Sequence, residues 1–165
     1  MTTVSNDFPG VVTSLAGNVA EAGTAEAVFT LVDVAAHELI GHRLCTIMTF
    51  DAPSMQVRRI YSNNPEAYPP GVAKAKRDTW WGRHVLEEGH SYIGYDADDI
   101  RAHFADFEII FGLGCESILN TPVRLHGRTL GTMNLLNEAN FYSEADAPVA
   151  RVLAGHLAAS LISAR

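Results

Sequence analysis

Cysteine is scarce in this 165-residue chain. Cys45 and Cys115 lie far apart and form neither a CxxC pair nor a disulfide framework, so both are expected as free thiols. Basic residues are also few. Twelve Lys and Arg against nineteen Asp and Glu leave a formal charge of −7, and no basic cluster is longer than Arg58-Arg59. A surface that tracks phosphates concentrates Lys and Arg, so nucleic acid is not an expected partner. No run approaches the roughly 20 apolar residues of a membrane span. The first seven residues lack the basic-then-apolar pattern of a secretory leader. The expectation is a cytoplasmic chain with no membrane partner. Repeats and low-complexity tracts are absent too. A flexible arm over 1–8 and a single domain over 9–165 are expected.

What is present is an ordinary globular composition, 47% apolar and 19% charged, long enough for one core. Val12, Leu15, Val19 and Ala22 recur at helical spacing over 9–22. Thr24 can cap a second helix with Val28, Leu31, Ala35 and Leu39 on its apolar stripe, and Gly41 suits a left-handed exit. Strands follow over 43–51 and 55–62, with Leu44, Thr46, Met48 and Phe50 on one face and Cys45 and Ile47 on the other. The prolines of 63–71 make that stretch a loop. Asp78 can cap a short helix carrying Trp80, Trp81, Val85 and Leu86, closed by Gly89. A short strand over 90–95 precedes a helix holding Ile100, Phe104, Phe107 and Phe111. Strands 115–125 and 128–137 flank His126-Gly127, a two-residue hairpin turn. The chain closes on an amphipathic helix over 147–164, capped by Ser143 or, better placed relative to Pro148, by Asp146. The order α-α-β-β-α-β-α-β-β-α, with hairpins at both ends, predicts an α/β (α+β) fold: a central antiparallel sheet, helices on one face and a crossover region on the other.

The ending Arg128-Thr-Leu-Gly-Thr-Met-Asn-Leu-Leu-Asn137, followed by Phe141-Tyr-Ser-Glu-Ala-Asp146, resembles that of GAF domains. Trp81-Gly-Arg-His-Val-Leu-Glu-Glu-Gly89 is similar to the family's short helix before its third strand, and 99–104 falls at its pocket-lining crossover. The resemblance runs over roughly 22–164. It implies a GAF/PAS-like fold with a ligand cavity between sheet and crossover, and commonly a homodimer through the terminal helices.

Within that frame the candidate ligand-binding residues are Trp80, Trp81, Tyr95, Arg101, Phe104, Cys115, Glu116 and Asn120. Adjacent indoles on a helix point in different directions, so one of Trp80 and Trp81 can enter the core while the other stacks on a ligand. Alternation puts Glu116, Ile118 and Asn120 on one face, where a carboxylate and an amide would orient a polar ligand. Arg101 and Arg83 can hold an anion bidentately. The acidic stretch of Glu88, Asp96, Asp98 and Asp99 has a plainer use at a helix start. His84, His90 and His103 make no HExxH or Cys/His cluster, so they read as surface or core residues and no metal site is expected. A haem needs only one axial histidine and stays open. No cofactor is identified.

Two functions follow. The first is a small-molecule sensor acting through a protein effector or a dimer rearrangement. Under it, a cavity below about 100 Å3 would count against ligand binding, since ligand pockets run to hundreds of Å3. The alternative is a redox enzyme resembling the GAF-fold free methionine-(R)-sulfoxide reductases. Those need a second thiol to resolve a sulfenic acid, and here the upstream cysteines of that pattern are missing. The expected protein is therefore no enzyme. It also lacks the lysine of the cyclic-nucleotide signature in Met133–Glu138 and a bilin-attaching cysteine within 63–114.

Overall fold

The computed structural model describes residues 5–164. Of the expected arm, residues 1–4 lie outside the described residues. Ser5 donates its N–H to Glu38 O at 2.8 Å, and Phe8 is already helical. Helix α1 (Phe8–Glu21) starts where the Asp7 carboxylate accepts from Gly10 N–H, with Pro9 in the first turn. Helix α2 (Ala25–Leu39) is capped by Thr24, whose hydroxyl accepts from Ala27 N–H, and ends at Gly41 with φ +94.

Six antiparallel strands form one sheet in the order β3-β2-β1-β6-β5-β4. They are β1 (Leu44–Asp51), β2 (Gln56–Ser62), β3 (Ala73–Ala75), β4 (Tyr92–Gly94), β5 (Ser117–Leu125) and β6 (Arg128–Asn137). The two hairpins do not end the sheet, as expected, but meet at its centre, where β1 pairs with β6. The short β3 and β4 are the edges, and β3 had no sequence signal in its Ala-Lys-Ala. At the β5–β6 turn His126 and Gly127 take φ +49 and +73, the double positive φ that a tight hairpin requires. Pro122 sits in β5 beyond the end of its pairing with β4, so its missing N–H faces an open edge.

Three expected elements differ. The helix through Ile100 and Phe111 is two, α3 (Ala97–His103) and α4 (Phe107–Gly112). Phe104 adopts an extended backbone after α3, which turns its ring toward the sheet. The closing helix is also two, α5 (Asp146–Gly155) and α6 (Ala158–Ser163). His156 and Leu157 N–H bond three residues back, to Leu153 O and Ala154 O, and the His156 ring donates to the freed Val152 carbonyl. Asp146 does not cap α5; its carboxylate accepts from Ser143 N–H and hydroxyl. Finally Thr79, not Asp78, caps the short helix: its hydroxyl accepts from Gly82 N–H, while Asp78 itself sits at φ +61. After Trp80 and Trp81 this helix widens into a π-helix over Gly82–Glu87.

The sheet separates two cores. On the helix side Leu15, Phe29, Val32, Cys45, Ile47, Leu119, Met133, Leu135, Leu153, Leu157 and Leu161 pack together. On the other side Leu44, Phe50, Val57, Trp81, Val85, Leu86, Ile100, Ile110, Cys115 and Ile118 pack under the 63–114 crossover. The strand alternation expected for β1 is observed: Cys45 and Ile47 face the helices, Leu44 and Phe50 the crossover.

Candidate ligand-binding site

The crossover face carries a row of buried polar side chains within an apolar wall. Asn120 of β5 and Asn134 of β6 are cross-strand partners, and Asn120 Nδ2 donates to Asn134 Oδ1 at 2.7 Å. Asn134 Nδ2 donates onward to the Thr46 hydroxyl at 3.2 Å, and the Trp81 indole N–H donates to Asn120 Oδ1 at 3.0 Å. The result is a directional chain, Trp81 to Asn120 to Asn134 to Thr46, spanning three strands and the short helix. Buried polar groups are tolerated when bonded in this way.

The edge strand β3 and the residue that follows it bring two lysines to this row, Lys74 and Lys76. Lys74 donates to Asp106 at 2.5 Å, and the Tyr68 hydroxyl donates to the same carboxylate oxygen. Burial opposes ionisation of Asp106, but the hydrogen bonds from Lys74 and Tyr68 outweigh it and hold the carboxyl below its ordinary value. Behind Tyr68 lies Arg59, 3% exposed, with its guanidinium 3.8 Å from the Tyr68 ring centroid and donating to Pro69 O.

Lys76 is different. Its ammonium lies 4.9 Å from the Trp81 ring centroid and 5.7 Å from that of Phe104. Among the described residues no carboxylate is within ion-pair distance of it; the Asp106 carboxylate is taken by Lys74. Burial first, and then the neighbouring Lys74 charge, push its pKa below the ordinary lysine value. Cation–π contact softens this desolvation without neutralising the charge.

These groups surround a cavity of about 30 Å3, lined by Thr46, Met48, Tyr68, Lys74, Lys76, Trp81, Phe104, Ile110, Ile118, Asn120, Asn134 and Leu136. It has room for a water molecule and little more. Larger hollows, of about 300 Å3 between α1 and α2 and about 500 Å3 beside the β1–β2 and β5–β6 turns, are surface grooves away from the polar row.

Three of the residues expected from sequence meet at this cavity: Trp81, Phe104 and Asn120. Trp80 points outward, 53% exposed, stacked between the His84 and His103 rings. Trp81 therefore enters the core and lines the cavity at once, and Trp80 does neither. Tyr95 lies beyond β4 with its hydroxyl donating to Glu144. Arg101 is exposed and paired with Asp98 at 2.9 Å, and Arg83 is exposed. Glu116 is exposed one residue before β5 begins, so the alternation that turns Ile118 and Asn120 inward does not extend to it. Cys115 is buried in the crossover core but does not line the cavity. The acidic stretch has the plain use expected: Asp96 caps α3 by accepting from the N–H groups of Asp98 and Asp99. Lys76, Thr46 and Asn134 escaped sequence reasoning. The available signal was polar residues interrupting otherwise apolar strands, as in Thr132-Met-Asn-Leu-Leu136.

The two thiols are on opposite sides of the sheet, Cys45 in the helix-side core and Cys115 in the crossover core. Burial pushes the Cys115 thiol up to about 11 and raises that of Cys45 well above its ordinary value, away from the thiolate form that reacts.

A family model described as a GAF domain matches residues 21–161. No curated protein sequence matches the chain. Among solved structures, it is similar to the GAF domain from a phosphoenolpyruvate-protein phosphotransferase of Coxiella burnetii, with TM-score 0.78, 21% identity, and coverage of 98% of this chain and 97% of that one. A GAF domain from the corresponding Acinetobacter protein aligns with TM-score 0.77, 15% identity, and 98% and 96% coverage. The chromophore-binding domain of an unusual bacteriophytochrome from R. palustris aligns with TM-score 0.71, 12% identity, and 98% and 64% coverage. At these identities the likeness is one of fold.

Proposed function

Because the chain belongs to the GAF domain family, we propose that it is a small-molecule-binding sensory and regulatory domain whose ligand carries an anionic group. The observation that carries this reading is Lys76, a partly buried ammonium without a carboxylate partner, aimed between Trp81 and Phe104 beside a row of buried amides. A desolvated cation is costly in the free protein. A carboxylate or phosphate on a flat ligand would neutralise it, while Trp81 would supply a stacking face. The 30 Å3 cavity falls under the 100 Å3 mark and so counts against ligand binding with the crossover in this position. In this reading the crossover must therefore swing away from the sheet, and that movement is the signal passed to a partner chain or a protein effector. Thiol redox chemistry has no comparable support, since Cys45 and Cys115 lie on opposite sides of the sheet and neither lines the cavity.

The test is native mass spectrometry of the protein as purified, then thermal shifts with a panel of aromatic carboxylates and phosphates on the wild type and Lys76→Met. An anion that binds should stabilise the wild type by about 2.7 kcal/mol at 100 times its Kd and leave Lys76→Met unmoved. The variant alone should melt higher than the wild type. Folded Lys76 holds its proton less tightly than unfolded lysine, so its charge lowers stability at neutral pH, and that penalty fades as pH rises toward the ordinary lysine value. No retained mass, no stabilising anion and an unchanged melting point in Lys76→Met would together overturn the reading.

A further inference from the structure

Two clusters bring three metal-ligating side chains within 4.8 Å of one another: Asp33, His42 and Cys45 in the helix-side core, and His84, Glu88 and His90 at the surface. In the first, the facing atoms of Asp33 and His42 are already paired without an ion, although His42 Nδ1 is buried with no hydrogen-bond partner among the described residues. His42 Nε2 stands 2.8 Å from Asp33 Oδ1, a hydrogen-bond distance, and the Tyr61 hydroxyl donates to the other Asp33 oxygen at 2.5 Å. This network ties α2 to the sheet.

The second cluster is spaced differently. Glu88 Oε2 lies 3.3 Å from His90 Nδ1 and 3.8 Å from His84 Nδ1. Ligands of a tetrahedral ion at bond lengths of about 2.0–2.1 Å stand about 3.3 Å apart, so these atoms already approximate edges of such a tetrahedron. The His84 tautomer favours ligation as well. Its Nε2 is 3.1 Å from Ser91 O; a carbonyl only accepts, so Nε2 carries a proton, and Nδ1, on the Glu88 side, is the nitrogen left to meet an ion. A metal-bound histidine is ordinarily fixed through its other nitrogen in this way. The backbone explains how a sequence without a recognised metal motif reaches this arrangement. The π-helix sets His84 outward and ends at Gly89, φ +74, where the chain doubles back and His90 returns beside His84, ring centroids 5.0 Å apart. His90 and Glu88 are 62% and 47% exposed, so water can complete the shell.

We propose that His84, Glu88 and His90 form a binding site for a divalent transition-metal ion of zinc type, held by His84 Nδ1, His90 Nδ1 and the Glu88 carboxylate. Two imidazoles and a carboxylate suit such an ion better than calcium or magnesium, which take oxygen ligands. The site departs from the sequence reading, which treated these histidines as isolated surface or core residues. Its consequence is mechanical. The π-helix carries His84 on its outer side and Val85 and Leu86 in the crossover core, directly after Trp81. An ion joining His84 to His90 would therefore clamp the wall of the crossover cavity. The proposal stands whether or not that cavity takes a ligand.

Cobalt(II) titration of the untagged protein, followed by visible absorption and by zinc displacement, tests it. One ion per chain is expected, with nitrogen and oxygen ligation and no cobalt–thiolate charge-transfer band. His84→Ala and His90→Ala should each weaken binding at least tenfold, and His103→Ala, on the neighbouring helix, should leave it unchanged. All three histidines lie at the surface, and circular dichroism would verify that each variant folds. Binding as tight in the His84→Ala, His90→Ala double variant as in the wild type, or a thiolate band lost in Cys45→Ser, would overturn the assignment.

Discussion

At the scale of single residues, Trp80 and Trp81 separate two roles that adjacency alone cannot order. Neighbouring helical positions diverge by about 100°, so one indole had to face away from the other. Which one faced inward depended on where the short helix sat against β5. Trp81 is 3% exposed and bonded to Asn120; Trp80 rests on two histidine rings at the surface. Trp81→Ala should lower stability by about 3–5 kcal/mol, and Trp80→Ala by under about 1 kcal/mol, read from chemical denaturation. Comparable losses from both would contradict the inward placement of Trp81 alone. The candidate site was legible to the same partial extent. Trp81, Phe104 and Asn120 were readable as an aromatic pair and an amide on alternating positions. Lys76 was not, because a lysine just after a three-residue edge strand looks like any solvated charge until the crossover folds over it. Tyr95 sits just past the end of β4, and Cys115 and Glu116 just before β5 begins, where alternation does not govern direction, while Arg101 lies within α3 on its exposed side, paired with Asp98.

Among secondary-structure elements, local signals were legible in part: Asp78 and Asp146 do not cap the helices expected of them, but other caps and turns hold. Thr24 and Gly41 bound α2, and His126-Gly127 turns the last hairpin, because capping and positive φ involve only a few neighbouring residues. The breaks between α3 and α4, and between α5 and α6, come from demands at a distance: Asp106 is held by Lys74 and Tyr68, and Leu157 and Leu161 must both reach the sheet. Gly131 shows the same long-range control within a strand. A Cβ there would lie 1.9 Å from Met48 O, across the β1–β6 pairing. Gly17, in the middle of α1, has nothing within 4 Å. Gly131→Ala is therefore expected to destabilise by about 3 kcal/mol or more, and Gly17→Ala to stabilise by about 0.5–1 kcal/mol. Equal melting temperatures for the two variants would refute the close approach of β1 and β6.

For the molecule as a whole, the closing helical segment gives its inner face to the chain's own core: Leu157, Ala158 and Leu161 are all buried there and are not free to meet a partner. The outer helix faces still expose Val34 of α2, Val152 of α5 and Ile162 of α6, at 60%, 42% and 50%, and no helix in the described residues is long and apolar enough to cross a membrane. We propose that the homodimer forms through these outer helix faces. Light scattering at micromolar concentration should give about twice the chain mass, and Val152→Glu with Ile162→Glu should return it to one chain mass with the melting temperature retained. A single-chain mass for the wild type would sink the dimer.

The sequence by itself determined the kind of fold and its periodic parts. Apolar spacing of 3.6 and 2, caps, and a Gly-containing turn are local properties, and together they produce a helix-covered antiparallel sheet of the GAF type. Only the tertiary structure decided what the crossover face contains. Burial is set jointly by segments far apart in the chain. Thr46, Lys76, Trp81, Asn120 and Asn134 come together because β1, the segment after β3, the short helix, β5 and β6 converge there. His84, Glu88 and His90 become neighbours because a π-helix and a left-handed glycine return the chain onto itself. Neither convergence leaves a periodic trace, since each depends on distances through space that spacing along the chain does not encode.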